Sequence, residues 1–314
     1  MFALYSMSTP EIRAREPGLD LMCVANITTW PSGVPMMSIG LLAIAVGMNN
    51  HAREGPGATG KAANPVLNCL EWFGGIAEFF FQMVRSAART PFEGRELLRQ
   101  MDEIGAKSLP LVALAGAAIG VVLSLHTRDS LIHFGAESIL PALIILSLIK
   151  ETGPIITALV VSGRVGAGIG AELGSMKVTE QIEAIEASAV DPRKYLAATR
   201  VLACMLMLPL LTIVADFSGI LTGWLANELV EPMSFKLFLN RGLESTDIRD
   251  LAPSTLKTVV FGFIIGLIGC YQGMGARGGT EGVGRASTSA VVLASLFVIL
   301  ADVVMVRLII TVFG

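Results

Sequence analysis

Five ionisable residues interrupt stretches that are otherwise apolar: Lys150, Glu151, Asp216, Asp302 and Arg307. At mid-membrane such a group costs roughly 2.5–3.5 kcal/mol on insertion scales, so it normally faces a polar cavity or a counter-charge. Lys150 and Glu151 are neighbours, and one helix points adjacent side chains in different directions, so they cannot pair ideally with each other. They are the candidates to line a cavity and meet a polar head group. The alternative is an ion pair with Asp216 or Asp302 on another helix. For Asp216 and Asp302 structural pairing is the favoured reading. Arg307 follows Asp302 by five residues, about 500° around a helix, which takes it off the same face. Near the end of its apolar run it is placed to snorkel toward lipid head groups.

Other chemistries find little support. Gly273-Met-Gly-Ala-Arg-Gly278 matches G-x-G-x-x-G literally, but apolar runs flank it on both sides where a dinucleotide site needs a βαβ unit. The three histidines include no H-E-x-x-H pair, no G-x-S-x-G occurs, and Ser162 has no histidine near it in sequence. Nor is there a G-x-x-x-x-G-K-[ST] loop to cradle the phosphates of ATP. The four cysteines form no C-x-x-C pair, so neither a metal nor any cofactor is expected, and the chain does not read as an enzyme.

A different pattern lies between residues 163 and 200. Glycines 163, 166, 168, 170 and 174 would let a helix approach a neighbour closely, with Gly163, Gly166, Gly170 and Gly174 the packing candidates. Glu180, Glu183 and Glu186 then recur every third residue, with Gln181 and Ala184 between them and Ile182 and Ile185 offset. That spacing predicts a short amphipathic helix, stopped at Asp191-Pro192. Such a helix, held between two spans, can insert into a cleft on a partner and transmit its motion.

The elements that must position these residues follow from composition. Of 314 residues, 53% are hydrophobic and only 16% charged, with mean hydropathy +0.67. Soluble domains carry roughly 25% charged residues, so this is an all-α integral membrane protein. Disorder and nucleic-acid binding are excluded, since both require far more charge. Spans of about 20 apolar residues are read at about 108–125, 138–161, 201–226, 254–271 and 290–313. Before them, 69–107 repeats apolar residues at helical spacing among Glu71, Glu78, Arg85, Arg95 and Arg99, which predicts a helix lying in the membrane interface. Residues 1–68 read as a variable extension ending in a Gly/Ala/Asn/Pro-rich linker. The pairs Gly116/Gly120, Gly219/Gly223 and Gly262/Gly266 have small-xxx-small spacing and predict helix packing.

Orientation follows from the connections. Lysines and arginines number fourteen on the side holding 164–200 and five on the other. The 164–200 connection is therefore expected in the cytoplasm, and five spans put the C-terminus outside.

The block from Gly153 to Pro192, GPIITALVVSGRVGAGIGAELGSMKVTEQIEAIEASAVDP, resembles the signature of the MlaE-type (YrbE-like) permeases. The resemblance continues in LPLLTIVAD (Leu208 to Asp216), in GVGRASTSAVV (Gly282 to Val292) and at Asp302, covering about 94–314 in matching order. It implies an interfacial helix followed by five spans, assembled as a homodimer in the inner membrane. It further implies a permease moving phospholipid or a related lipid to or from an MCE-domain protein. The ABC ATPase would be a separate chain docking on Glu180, Gln181, Glu183, Ala184 and Glu186. Lys150 stands where many relatives carry arginine; it keeps the charge but not the bidentate fork. The competing functions are a secondary transporter without an ATPase, or a scaffold anchoring MCE proteins. The first would call for an inverted repeat with matching broken helices, whereas only the second span is broken by charge, Gly and Pro.

Overall fold

A computed structural model describes residues 65–87, 94–244 and 248–313; the extension expected over 1–68 lies outside them except where its last residues open the first helix. Among the described residues there are helices and turns but no strand. We number the helices α1 (Pro65–Ala87), α2 (Gly94–Ile132), α3 (Leu140–Val178), α4 (Gln181–Ala187), α5 (Arg193–Glu228), α6 (Phe235–Glu244), α7 (Ile248–Met274) and α8 (Gly279–Phe313). Five of them, α2, α3, α5, α7 and α8, are long and apolar enough to cross a membrane.

The interfacial segment divides differently from the sequence expectation. The amphipathic repeat through Leu97, Met101 and Ile104 is the first part of the spanning helix α2, which runs on through Pro110 without a break. A helix-interior proline removes one backbone hydrogen bond, and packing on neighbouring helices keeps such a helix continuous. α1 alone is a separate amphipathic helix. Its Ile76, Phe79, Phe80 and Met83 pack on the core. Trp72 stacks on Phe297 with ring centres 5.8 Å apart, and Phe79 meets Tyr271 edge-on at 5.8 Å. Leu70, Phe81 and Val84 stay exposed on its outer face.

Apolar burial cannot drive the spanning helices together in lipid, so close backbone approach must do so. Glycines supply it at most seams. A methyl group at Gly120 would lie 2.1 Å from the Gly219 carbonyl oxygen, and one at Gly116 would lie 2.3 Å from that of Ala215. The pairs 116/120 and 219/223 therefore face each other across α2 and α5, which run parallel. Gly262 and Gly266 press on Cys204 and Val201 of α5, and Gly273 on Leu173 of α3. In α3, Gly170 meets Ala290 and Gly174 meets Ala276 and Val283, while Gly166 touches only Ile265 at 3.8 Å. Gly163 corrects the packing expectation: an added methyl there meets nothing within 4 Å, because this residue turns away from the bundle.

Alanine at Gly120 is expected to force α2 and α5 apart, at about 1–3 kcal/mol for overpacking, lowering the melting temperature in detergent by several degrees. Gly163→Ala, placed in open space, is expected to leave it unchanged or slightly raised. Equal melting of the two variants would remove the glycine seam as a determinant of packing.

Candidate functional site

Two of the polar constructions in the apolar bundle, one toward each end, hold the candidate residues. The first is built on α3. Residues Leu148–Thr152, which include Lys150 and Glu151, form a π turn just ahead of Pro154. A π turn carries one residue more per turn than the α-helix, shifts the side chains that follow, and disturbs the carbonyl ladder. α7 compensates. The Ser254 hydroxyl donates to the Ile149 carbonyl at 2.5 Å, and the Lys257 ammonium lies 3.4 Å from that of Lys150. Lys257 also donates to Glu151 Oε2 at 2.6 Å and lies 3.0 Å from Asp302 Oδ1 of α8. Its side chain is 1% exposed, against 13% for Asp302 and 51% for Glu151. One buried ammonium thus binds three helices, and the accessible Glu151 carboxylate is the polar edge of the cluster.

The structure therefore brings Glu151 and Asp302 together through a residue that hydropathy missed. Lys257 stands at the start of the fourth apolar run, 254–271, where it counts among the cations of the preceding connection. The signal for it was two carboxylates in other spans that lacked a counter-charge. Lys150 contributes its carbonyl to this cluster. Asp216 corrects the pairing expectation: its Oδ1 is buried without a hydrogen-bond partner, because α5 presses this carboxyl against Gly153, where a methyl would lie 1.7 Å from that oxygen.

The second construction surrounds α4. α3 ends at Val178, and the backbone reverses through Glu180 in the left-handed region, φ 57°; Ala189 closes the other side of α4 at φ 61°. Left-handed conformations outside glycine hold only where surrounding structure over-determines them. Ile182 is buried and anchors α4, while Glu180, Gln181, Glu183, Ala184 and Glu186 are exposed. Beside them an open depression of about 370 Å³ is lined by Ala184, Ile185, Ser188, Val190 and Tyr195. The Asp191 carboxylate accepts the backbone N–H of Arg193 at 3.0 Å and starts α5.

Arg200 joins the two limbs of this segment. Its guanidinium is 2% exposed and donates to the Leu196 carbonyl at 2.9 Å, within the π turn Arg193–Ala198, and to Glu172 of α3 at 2.7 Å. α4 is thereby carried between two limbs tied by one ion pair, its guanidinium buried and its carboxylate half exposed. Sequence reading missed this pair because Glu172 and Arg200 are 28 residues apart. Lys177 donates to Glu183, which holds that carboxyl below its usual range.

A five-span helical bundle with a charged turn inside it and an acidic helix projecting from one end marks a multi-pass membrane protein. The family model described as Permease MlaE matches residues 97–308, and the chain belongs to that permease family. A probable ABC transporter permease protein of Rickettsia typhi is 37% identical over 227 residues, 72% of this chain and 88% of that protein. Another from Synechocystis is 34% identical over 234 residues, 74% of this chain and 89% of its own. The chloroplastic protein TRIGALACTOSYLDIACYLGLYCEROL 1 of Arabidopsis thaliana is 31% identical over 224 residues, 71% of this chain and 64% of its own.

Lys257→Met is expected to destabilise the bundle by about 3–5 kcal/mol, because it strands two carboxylates. Adding Glu151→Gln and Asp302→Asn to it is expected to recover most of that loss in detergent melts. A wild-type melt for Lys257→Met alone would mean the ammonium holds nothing together. For Glu183 the folded carboxyl titrates below its unfolded value, so its tie to Lys177 is present above the unfolded pKa. The tie is lost as pH falls through the folded one. In Lys177→Met the Glu183 midpoint, followed by carboxyl carbon NMR, is expected to rise into the ordinary carboxylate range.

Proposed function

We propose that this permease moves phospholipid or a related lipid between the inner membrane and an MCE-domain lipid-binding protein outside it. It works as a homodimer, and ATP is hydrolysed on a separate ABC ATPase chain. The observation that carries this reading is α4. It is short, acidic and exposed, it is fixed at both ends by left-handed residues, and the Arg200–Glu172 pair ties the limbs on either side of it. A surface loop with no partner needs none of these restraints. An element that receives a push and passes it to two spans needs all of them.

The partner's cleft on this reading carries basic residues opposite Glu180, Glu183 and Glu186, and an apolar side chain for the depression beside Ala184. The α4 end of the bundle faces the cytoplasm, in keeping with the excess of lysine and arginine there, and the C-terminus lies outside. Glu151, the accessible member of the charged cluster, and Lys150 beside it meet the polar head group. A lipid cargo is in keeping with the name of the Arabidopsis relative, which is that of a glycerolipid. Membership of a permease family whose relatives are named as ABC transporter components weighs against an ATPase-free transporter and against a passive scaffold.

Detergent co-purification with candidate ATPase and MCE subunits, with mass spectrometry of protein and bound lipid, tests this. Two copies of the chain with two ATPases and co-eluting phospholipid are expected. Glu186→Lys is expected to insert normally yet lose most ATPase from the complex. Full complex yield from that variant would remove α4 as the docking element. A wild-type chain that purifies alone and free of lipid would overturn the lipid-permease reading.

A further inference from the structure

Asp216 has no role in the charged cluster or in α4, yet its surroundings are built. Beside it lies a cavity of about 50 Å³ whose polar lining is Asp216 and Thr212 of α5 with Ser254, Thr255 and Thr258 of α7. Three hydroxyls there have already committed their protons to main-chain carbonyls: Thr212 to Leu208 at 2.9 Å, Ser254 to Ile149 at 2.5 Å, and Thr258 to Thr255 at 2.8 Å. A hydroxyl has one proton and two lone pairs, so each of these can offer the cavity only acceptor capacity. The ionised carboxylate is likewise acceptor-only. Among the described residues no donor reaches Asp216 Oδ1, and Lys257 is engaged by Glu151 and Asp302. The cavity thus presents several oxygen acceptors.

We propose that Asp216, with the hydroxyl oxygens of Thr212, Ser254 and Thr258, binds a single alkali-metal cation inside the bundle. Oxygen donors of this kind suit hard cations, and one carboxylate balances one positive charge; divalent ions of the same hardness draw on more carboxylates or on bound phosphates. The volume exceeds the 10–15 Å³ or so that one water needs, so a partly dehydrated ion has room. Gly153 completes the fit, since any side chain there would displace the carboxylate. The bound ion would join α5 to α7 beside the π turn of α3, whose Ile149 also lines the cavity. The inference does not depend on the lipid or the ATPase partner.

The full-length chain, purified in detergent, is melted across sodium chloride and potassium chloride series, with ionic strength held constant by choline chloride. One of the two metal ions is expected to raise the melting temperature by about 5 °C at saturation relative to choline. Asp216→Asn, which keeps the shape, is expected to abolish that response. Thr212→Val is expected to shift it to about tenfold higher concentration, the effect of one lost oxygen ligand. The same melting temperature in sodium, potassium and choline would overturn the proposal, as would a response that survives Asp216→Asn. Stability that follows pH alone would also overturn it, and would mean that Asp216 carries a proton where the cation was assigned.

Discussion

The arrangement of the bundle depends on the Lys257 ammonium, which is 1% exposed and bound to carboxylates from two other helices. A buried charge is tolerated only when it is paired and hydrogen-bonded, and its partners must then stay within reach. That requirement fixes α3, α7 and α8 relative to one another at one level. It also explains why α3 can hold a π turn at 148–152. The Ile149 and Lys150 carbonyls within that turn are met by Ser254 and Lys257 of α7. Irregular backbone and buried charge, each costly alone in a membrane, satisfy one another here.

At the opposite end the same economy operates with Arg200. Its guanidinium meets a carbonyl of the π turn at 193–198 and the Glu172 carboxylate of α3. Both π turns that touch a polar cluster are therefore matched to a cation from outside the turn. The helix α4 sits beyond the second cluster, with its acidic face clear of the bundle and Ile182 as its anchor.

Much of this was legible in the chain itself. The five apolar runs correspond to five long helices, because lipid demands continuous apolar length and that demand is local in sequence. The spacing of Glu180, Glu183 and Glu186 marked an exposed acidic face for the same reason. The three small-xxx-small pairs occupy close helix contacts, since that spacing belongs to a single helix face. What escaped were relations between distant residues. Lys257 sits at the edge of an apolar run, and only its proximity to Glu151 and Asp302, 106 and 45 positions away, gives it meaning. The Arg200–Glu172 tie and the π turns were hidden likewise, since hydropathy registers neither helix phase nor partner. Gly163 and Gly170 look equivalent in sequence, yet only Gly170 faces a neighbour, because Gly163 lies within a further π turn, Ser162–Gly166, which rotates it against Gly170.

The glycine seams differ mechanically from the ionic clusters. Where α2 meets α5, the main chain of one helix rests on that of the other through Gly116, Gly120 and Gly219, and the Thr222 hydroxyl donates across to the Ala117 carbonyl at 2.8 Å. Such a seam resists separation because its contacts are close, and gliding along the axis is opposed near one end, where Arg128 of α2 donates to Asn227 of α5 at 2.6 Å and pairs with Glu231 at 3.2 Å. The Lys257 and Arg200 clusters oppose sliding in the same way, since each holds directional bonds. The molecule therefore combines directional polar joints with a close main-chain seam. Sliding of α2 along α5 would break the Arg128 contacts, so the seam is close in its middle and pinned near one end.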